Sequence, residues 1–289
     1  MSNSPLSPTV RRRQLGKALR RLRNKAKLTL DEAAATMGWK APKMSKIENA
    51  TQSIRPTEVN ELLQAYGVTD QDTFTALESL ARDAGKRGWW QTYNGVLAPA
   101  YADYISLESD AESIRTYAPG LVPGLLQSAS YARETIAVTA ATRTPDEVAA
   151  LAEVRMSRQA VLTRPNRSLK LWAVINESVL HQRFAVRPAT MREQLRRLLD
   201  TAELPNVTIQ IMPLNATLHP GTAGAFSLLA YPGPIPDVVL LENLIGVSYI
   251  EDADGIKIFA DAFERIVATA LSTDDSLALI ARMEEEART

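Results

Sequence analysis

Leu28-Thr29-Leu30-Asp31-Glu32-Ala33-Ala34-Ala35-Thr36-Met37-Gly38, then Ala41-Pro42-Lys43-Met44-Ser45-Lys46-Ile47-Glu48-Asn49, decides the fold of the N-terminal part of this chain. Thr29 is a good helix N-cap, and Glu32 three residues on completes a capping box. The helix that follows buries Leu30, Ala33, Ala34 and Met37, small residues that let a second helix come close. Gly38 stands where a helix needs a left-handed residue to stop. Another helix starts almost at once near Ala41, with Pro42 in the first turn, where a missing N–H costs nothing. Met44 and Ile47 point inward, Lys43 and Lys46 outward, and Asn49-Ala50 closes it. Two short helices on a tight turn, the second bearing lysines, match the helix-turn-helix layout, whose second helix lies in the DNA major groove.

The flanking sequence completes a five-helix unit. Leu15, Leu19 and Leu22 fall at i, i+4 and i+7, one face of a helix, and its other faces carry Arg11, Arg12, Arg13, Lys17, Arg20, Arg21 and Lys25. Arg55-Pro56-Thr57 opens a fourth helix with Val59, Leu62, Leu63 and Tyr66 inside, ended by Gly67. A fifth runs from Gln71 to Gly85 with Phe74, Leu77 and Leu80 inward. Residues 1–68 hold 13 Lys or Arg against 5 Asp or Glu, and the rest holds 20 against 28, so a net charge of zero conceals a basic N-terminal part and an acidic remainder. Such asymmetry points to a polyanion partner for the basic part.

Within this unit, Leu28-Thr29-Leu30-Asp31-Glu32-Ala33-Ala34 through Met37-Gly38 and Met44-Ser45-Lys46-Ile47-Glu48-Asn49 resemble the phage-repressor (Cro, or xenobiotic-response-element) type of helix-turn-helix, from Arg11 to Val68. By position, the resemblance implies that Lys40, Ala41, Pro42, Lys43 and Lys46 face the groove. It places Thr29, Asn49 and Arg55 near phosphates, and it pairs Arg23 of the first helix with Glu48 at the end of the recognition helix as a structural clamp. The family often carries Gln or Ser at the reading positions, where this chain has Lys40, Ala41, Pro42 and Lys43. A lysine there can donate to guanine O6 and N7, or it can meet a phosphate and add affinity without sequence information.

The remaining chain is organised differently. Residues 1–10 read as a disordered tail, 11–86 as the DNA-binding domain, 87–110 as an aromatic connector (Trp89, Trp90, Tyr93, Tyr101, Tyr104), and 111–289 as an α+β domain with a mixed or antiparallel sheet. Pro119 to Gly124 is turn-rich. Helices are expected over Leu125–Ile136, Pro145–Leu162, Thr190–Ala202, Asp254–Leu271 and Thr273–Glu286. Strands are expected over Leu169–Ile175, Val207–Met212, Ala225–Ala230, Val238–Glu242 and Val247–Ile250. Tyr104-Ile105-Ser106-Leu107-Glu108, Tyr117 to Gln127, Tyr131-Ala132-Arg133, Arg155 to Gln159 and Phe226-Ser227-Leu228-Leu229 resemble an actinobacterial regulator family. Its members join this helix-turn-helix to a C-terminal domain of unknown function. The resemblance implies a developmental or antibiotic-related regulator, often encoded beside a small partner protein.

No chemistry-bearing motif competes with this reading. The chain has no cysteine, which excludes disulfides and thiolate metal sites. His181 and His219 lack metal-ligand spacing, although Glu177 and His181 share a helix face. Ser130, Ser157 and Ser227 lack a nucleophile elbow, and no phosphate-cradling glycine loop occurs. Arg155, Arg158 and Gln159 can bind an acidic ligand or carboxylates of the body, and internal salt bridges are the favoured expectation in so acidic a domain. No cofactor, no metal and no enzymatic activity are expected. No apolar run reaches the roughly 18 residues of a membrane span, and cytoplasmic residence is expected. The function indicated is a transcription regulator that binds double-stranded DNA, acts as a homodimer, and senses a ligand or partner through its C-terminal domain. The alternative is a toxin–antitoxin-like interaction protein that docks a small neighbouring protein and regulates its own expression.

Overall fold

A computed structural model describes residues 9–83, 92–93, 95–139, 142–165, 167–243 and 246–287. The expected tail over 1–8, Trp89 and Trp90 of the connector, and the last two residues of the expected fifth helix lie outside the described residues. The chain divides into two compact units, Met1–Gln91 with Tyr231–Pro236, and Thr92–Ala230 with Asp237–Thr289.

The first unit contains five helices: α1 (Val10–Lys25), α2 (Leu30–Thr36), α3 (Ala41–Glu48), α4 (Pro56–Ala65) and α5 (Gln71–Asp83). Thr29 and Glu32 form the reciprocal capping box that starts α2. Gly38 takes φ +64° after that helix, a conformation open to glycine at little cost. Leu19, Met44, Ile47, Leu62, Leu63 and Leu77 are almost fully buried and join all but α2 around one core. Ala33 and Ala34 bring α2 onto it.

The second unit is a six-stranded mixed sheet with helices. Its strands are β1 (Ser113–Ala118), β2 (Lys170–Asn176), β3 (Val207–Met212), β4 (Phe226–Ala230), β5 (Val238–Asn243) and β6 (Gly246–Ile250), in the spatial order β3-β2-β1-β4-β5-β6. The β1–β2 and β2–β3 pairs are parallel, whereas β1–β4, β4–β5 and β5–β6 are antiparallel. The helices are α6 (Pro99–Asp110), α7 (Ala129–Thr139), α8 (Pro145–Arg158), α9 (Thr190–Ala202), α10 (Ala253–Thr269) and α11 (Thr273–Glu286). Phe263 and Ile266 of α10 pack on Tyr117, Val174, Phe226, Leu228 and Val239, so this helix covers one face of the sheet. Because side chains alternate along a strand, Ile114, Thr116, Leu171, Ser227 and Leu240 belong to the opposite face.

Three local differences from the sequence reading have physical causes. Strand β1 was not expected, because Ser-Ile-Arg-Thr-Tyr-Ala alternates only weakly; its place between two partner strands supplies the order that the pattern lacks. The helix expected from Leu125 begins only at Ala129, since Ser128 caps it: the Ser128 hydroxyl accepts from the Tyr131 N–H at 3.2 Å. Residues 99–110 of the expected connector form α6, with Ile105 and Leu107 buried.

Candidate nucleic-acid interface and the cavity of the second unit

The turn between α2 and α3 is closed by the Trp39 N–H, which donates to the Ala34 carbonyl at 2.8 Å. It delivers Lys40 to the N-cap position of α3, and Lys40, Lys43 and Lys46 then follow at three-residue steps along one side of that helix. Lys40 and Lys46 are exposed and form no ion pair among the described residues. Lys43 is held instead: its Nζ donates to Glu58 at 3.2 Å and sits 3.5 Å from the centre of the Trp39 ring. Pro42 is exposed between them and Ala41 is half-buried.

The expected phosphate-side residues are already engaged within the unit. The Thr29 hydroxyl donates to Glu32 at 2.8 Å while accepting from the Glu32 N–H. Arg55 is largely exposed and pairs with Glu58 at 3.2 Å. Asn49 accepts from Arg20 Nη2 at 2.6 Å and donates to the Ser45 hydroxyl at 3.3 Å. Partial burial pushes the Glu58 carboxyl up, but hydrogen bonds from Arg55 and Lys43 outweigh it and hold the group at about 2.

Below this surface lies the Arg23–Glu48 pair. Arg23 Nε and Nη2 donate to the two oxygens of Glu48 at 2.7 and 3.0 Å, and its Nη1 donates to the Leu28 carbonyl at 2.8 Å. The hydrogen bond to Glu48 raises Arg23 above its ordinary value, against the opposing effect of burial. Arg20 adds a contact to Glu48 at 3.2 Å, so a polar chain runs from the buried clamp to Asn49 and Ser45. The sequence reading missed Trp39, Arg20 and Ser45 as members of this surface. Arg20 carried a signal, since it precedes Arg23 by three residues and so shares a helix face with it.

In the second unit, a partly enclosed cavity of about 510 Å³ lies on the sheet face opposite α10. Thr116 and Ser227, paired across β1 and β4 and hydrogen-bonded at 2.8 Å, form its floor. Tyr101 and Tyr104 of α6, Arg155 and Arg158 of α8, and the loop after β1 line it. Arg158 is buried and doubly bonded to Glu108, at 2.8 and 2.6 Å. Burial drives the Tyr104 hydroxyl well above its ordinary range. Among the described residues, only one of the three read as salt-bridge formers makes such a bridge to a carboxylate: Arg155 and Gln159 bond to amide and carbonyl oxygens instead.

A wider, open groove of about 890 Å³ runs between α7, α8 and α9. Its arginines are matched: Arg192 by Glu284, Arg196 by Asp200, and Arg197 by Gln159. His181 meets Glu177 at 3.6 Å, and His219 accepts from the Gly221 N–H at 3.1 Å. No group of three or more potential metal ligands occurs among the described residues. Nor is any described helix long and apolar enough to cross a membrane.

The first unit, with an exposed lysine-bearing helix after a tight turn, defines a helix-turn-helix DNA-binding regulator, and residues 14–77 match a family model described as a helix-turn-helix domain. Residues 101–282 match the model of a domain of unknown function, DUF5753. That match spans more than half of the chain, and the chain belongs to this family. No curated protein and no solved structure matches it.

Proposed function

We propose that this protein is a sequence-specific transcription regulator that binds DNA as a homodimer through α3, and that its second unit senses a small molecule. The observation that carries the sensing role is the position of the 510 Å³ cavity. From β1 the chain builds outward on one side through β2 and β3, and on the other through β4, β5 and β6. The cavity lies over the central β1–β4 pair, on the face that α10 leaves uncovered, with α6 and α8 supplying its walls. The loop after Ala118, at the carboxyl end of β1, lines the cavity. Its volume lies within the roughly 300–1,000 Å³ usual for small-molecule sites.

The role is binding rather than chemistry. Glu108 and Arg158 neutralise each other, and burial holds the Tyr104 proton in place, so none of the three offers a free base. A partly enclosed cavity also favours ligand sensing over docking of a neighbouring protein, which requires no such space. Dimers of helix-turn-helix units present recognition helices to half-sites about 34 Å apart. Selection of duplexes from a randomised library by the intact protein tests the DNA-binding reading. Recovery of paired, inverted half-sites about one helical turn apart is expected. Recovery of no common sequence refutes it.

A further inference from the structure

The cavity of the second unit contains two arginines in opposite states. Arg158 is saturated: Glu108 takes its Nε and Nη2, the Tyr101 hydroxyl lies 2.5 Å from Nη1, and the ring of Tyr104 lies 4.7 Å from its guanidinium carbon. Arg155, three residues earlier on α8, has no carboxylate partner among the described residues. Its Nη1 donates to the side-chain oxygen of Gln127 at 3.0 Å. Arg155 is half-buried and stands on the cavity lining. A guanidinium on a cavity wall with no carboxylate partner is a ready site for an oxyanion.

We propose that the cavity binds a small organic monoanion, an aromatic carboxylate or sulfonate, with its acid group on Arg155 and its ring against Tyr101 and Tyr104. The proposal rests on the ligand-sensing reading above and adds the chemical class of the ligand. A guanidinium edge presents two parallel N–H donors, a geometry that planar or tetrahedral oxyanions match. Arg155 has no carboxylate partner among the described residues, so a single anionic group suffices to match it. Glu242, also on the lining, opposes every further negative charge, which disfavours a polyanion such as a nucleotide triphosphate, and Leu121, Leu125 and Leu240 offer nothing to extra phosphates. The rings of Tyr101 and Tyr104 together with Leu121, Leu125 and Leu240 suit a flat apolar body.

Two fluorescent probes with the same aromatic skeleton test this in the full-length protein. One is 8-anilinonaphthalene-1-sulfonate, and the other is its neutral relative N-phenyl-1-naphthylamine. Wild type is expected to bind the sulfonate about tenfold more tightly than the neutral probe, the worth of a hydrogen bond to a charged group. Arg155→Gln is expected to abolish this preference while leaving the neutral probe unchanged. Arg155→Lys, a milder change that guards against misfolding, is expected to keep part of it. Leu121→Trp, at the half-exposed rim, is expected to weaken both probes. Retention of the preference in Arg155→Gln, with Leu121→Trp still weakening both, overturns the anion proposal and leaves ligand sensing standing. If Leu121→Trp changes neither probe, the cavity is not their site and both readings fall.

Discussion

Glu48, with its side chain fully buried, receives both Nε and Nη2 of Arg23, so the last residue of the recognition helix is bolted to α1 by a two-pronged ion pair. Burying two charges is costly in itself, but removing one of them leaves the other uncompensated, at about 3–5 kcal/mol. Glu48→Ala is therefore expected to lower the unfolding free energy of the first unit by about 3 kcal/mol in urea denaturation. Arg23→Met with Glu48→Met is expected to recover much of that loss, because no lone charge remains. A loss below about 1 kcal/mol, the range of an exposed pair, means that the clamp is open in solution.

Gly16 of α1 lies against the same end of α3. A Cβ at this position meets the Glu48 carbonyl oxygen at 2.5 Å and that of Ile47 at 2.9 Å, both backbone atoms that cannot step aside. Gly16→Ala is expected to push α3 outward and to destabilise the unit by about 1–3 kcal/mol, the usual range for overpacking. DNA affinity should fall with it at temperatures where the variant is still folded. An unchanged melting temperature contradicts the close approach of the two helices.

Glu58 gives the first unit a dependence on pH. Arg55 and Lys43 hold its carboxyl at about 2 in the folded protein, against 4.5 as the ordinary value. A depressed folded value means that the unfolded chain binds the proton more readily. The stabilisation is thus complete above about pH 4.5 and is lost as pH falls towards 2. The stability difference between wild type and Glu58→Gln is expected to shrink over that window in urea titrations at successive pH values. A difference that stays constant from pH 5 to pH 2 removes the ion pair from the account.

The N-terminal unit was legible because its signals are local. Thr29 with Glu32, Gly38, and the inward spacing of Met44 and Ile47 each act within a few residues and agree with one another. The Arg23–Glu48 clamp followed from resemblance rather than from spacing, since 25 residues separate its ends. The second unit was legible only in part. Its β-branched runs announced five strands, but β1 draws its stability from partners 57 and 117 residues away at Ser113, a relation that no local pattern carries. The aromatic cluster with Tyr101 and Tyr104 allowed a ligand pocket as one reading, but for the same reason the cavity's make-up was not legible. Tyr104, Thr116, Arg155 and Ser227 come from four separate elements, and only strand order brings them together. Lys43 was placed on the exposed side of α3, but its capture by Glu58 and Trp39 needed α4 and the preceding turn in position.

The placement of α3 against DNA is tested most directly by equilibrium binding of the intact protein to its selected duplex and to a scrambled one, over a series of salt concentrations. Lys40→Ala, Lys43→Ala and Lys46→Ala are to be compared with wild type. Lys46→Ala is expected to weaken binding by about tenfold; equal loss on both duplexes, with the salt slope lowered by about 1, assigns it to a phosphate, and selective loss on the chosen duplex assigns it to a base. Unchanged binding in all three variants, on both duplexes and at every salt concentration, contradicts the placement of this helix in the groove.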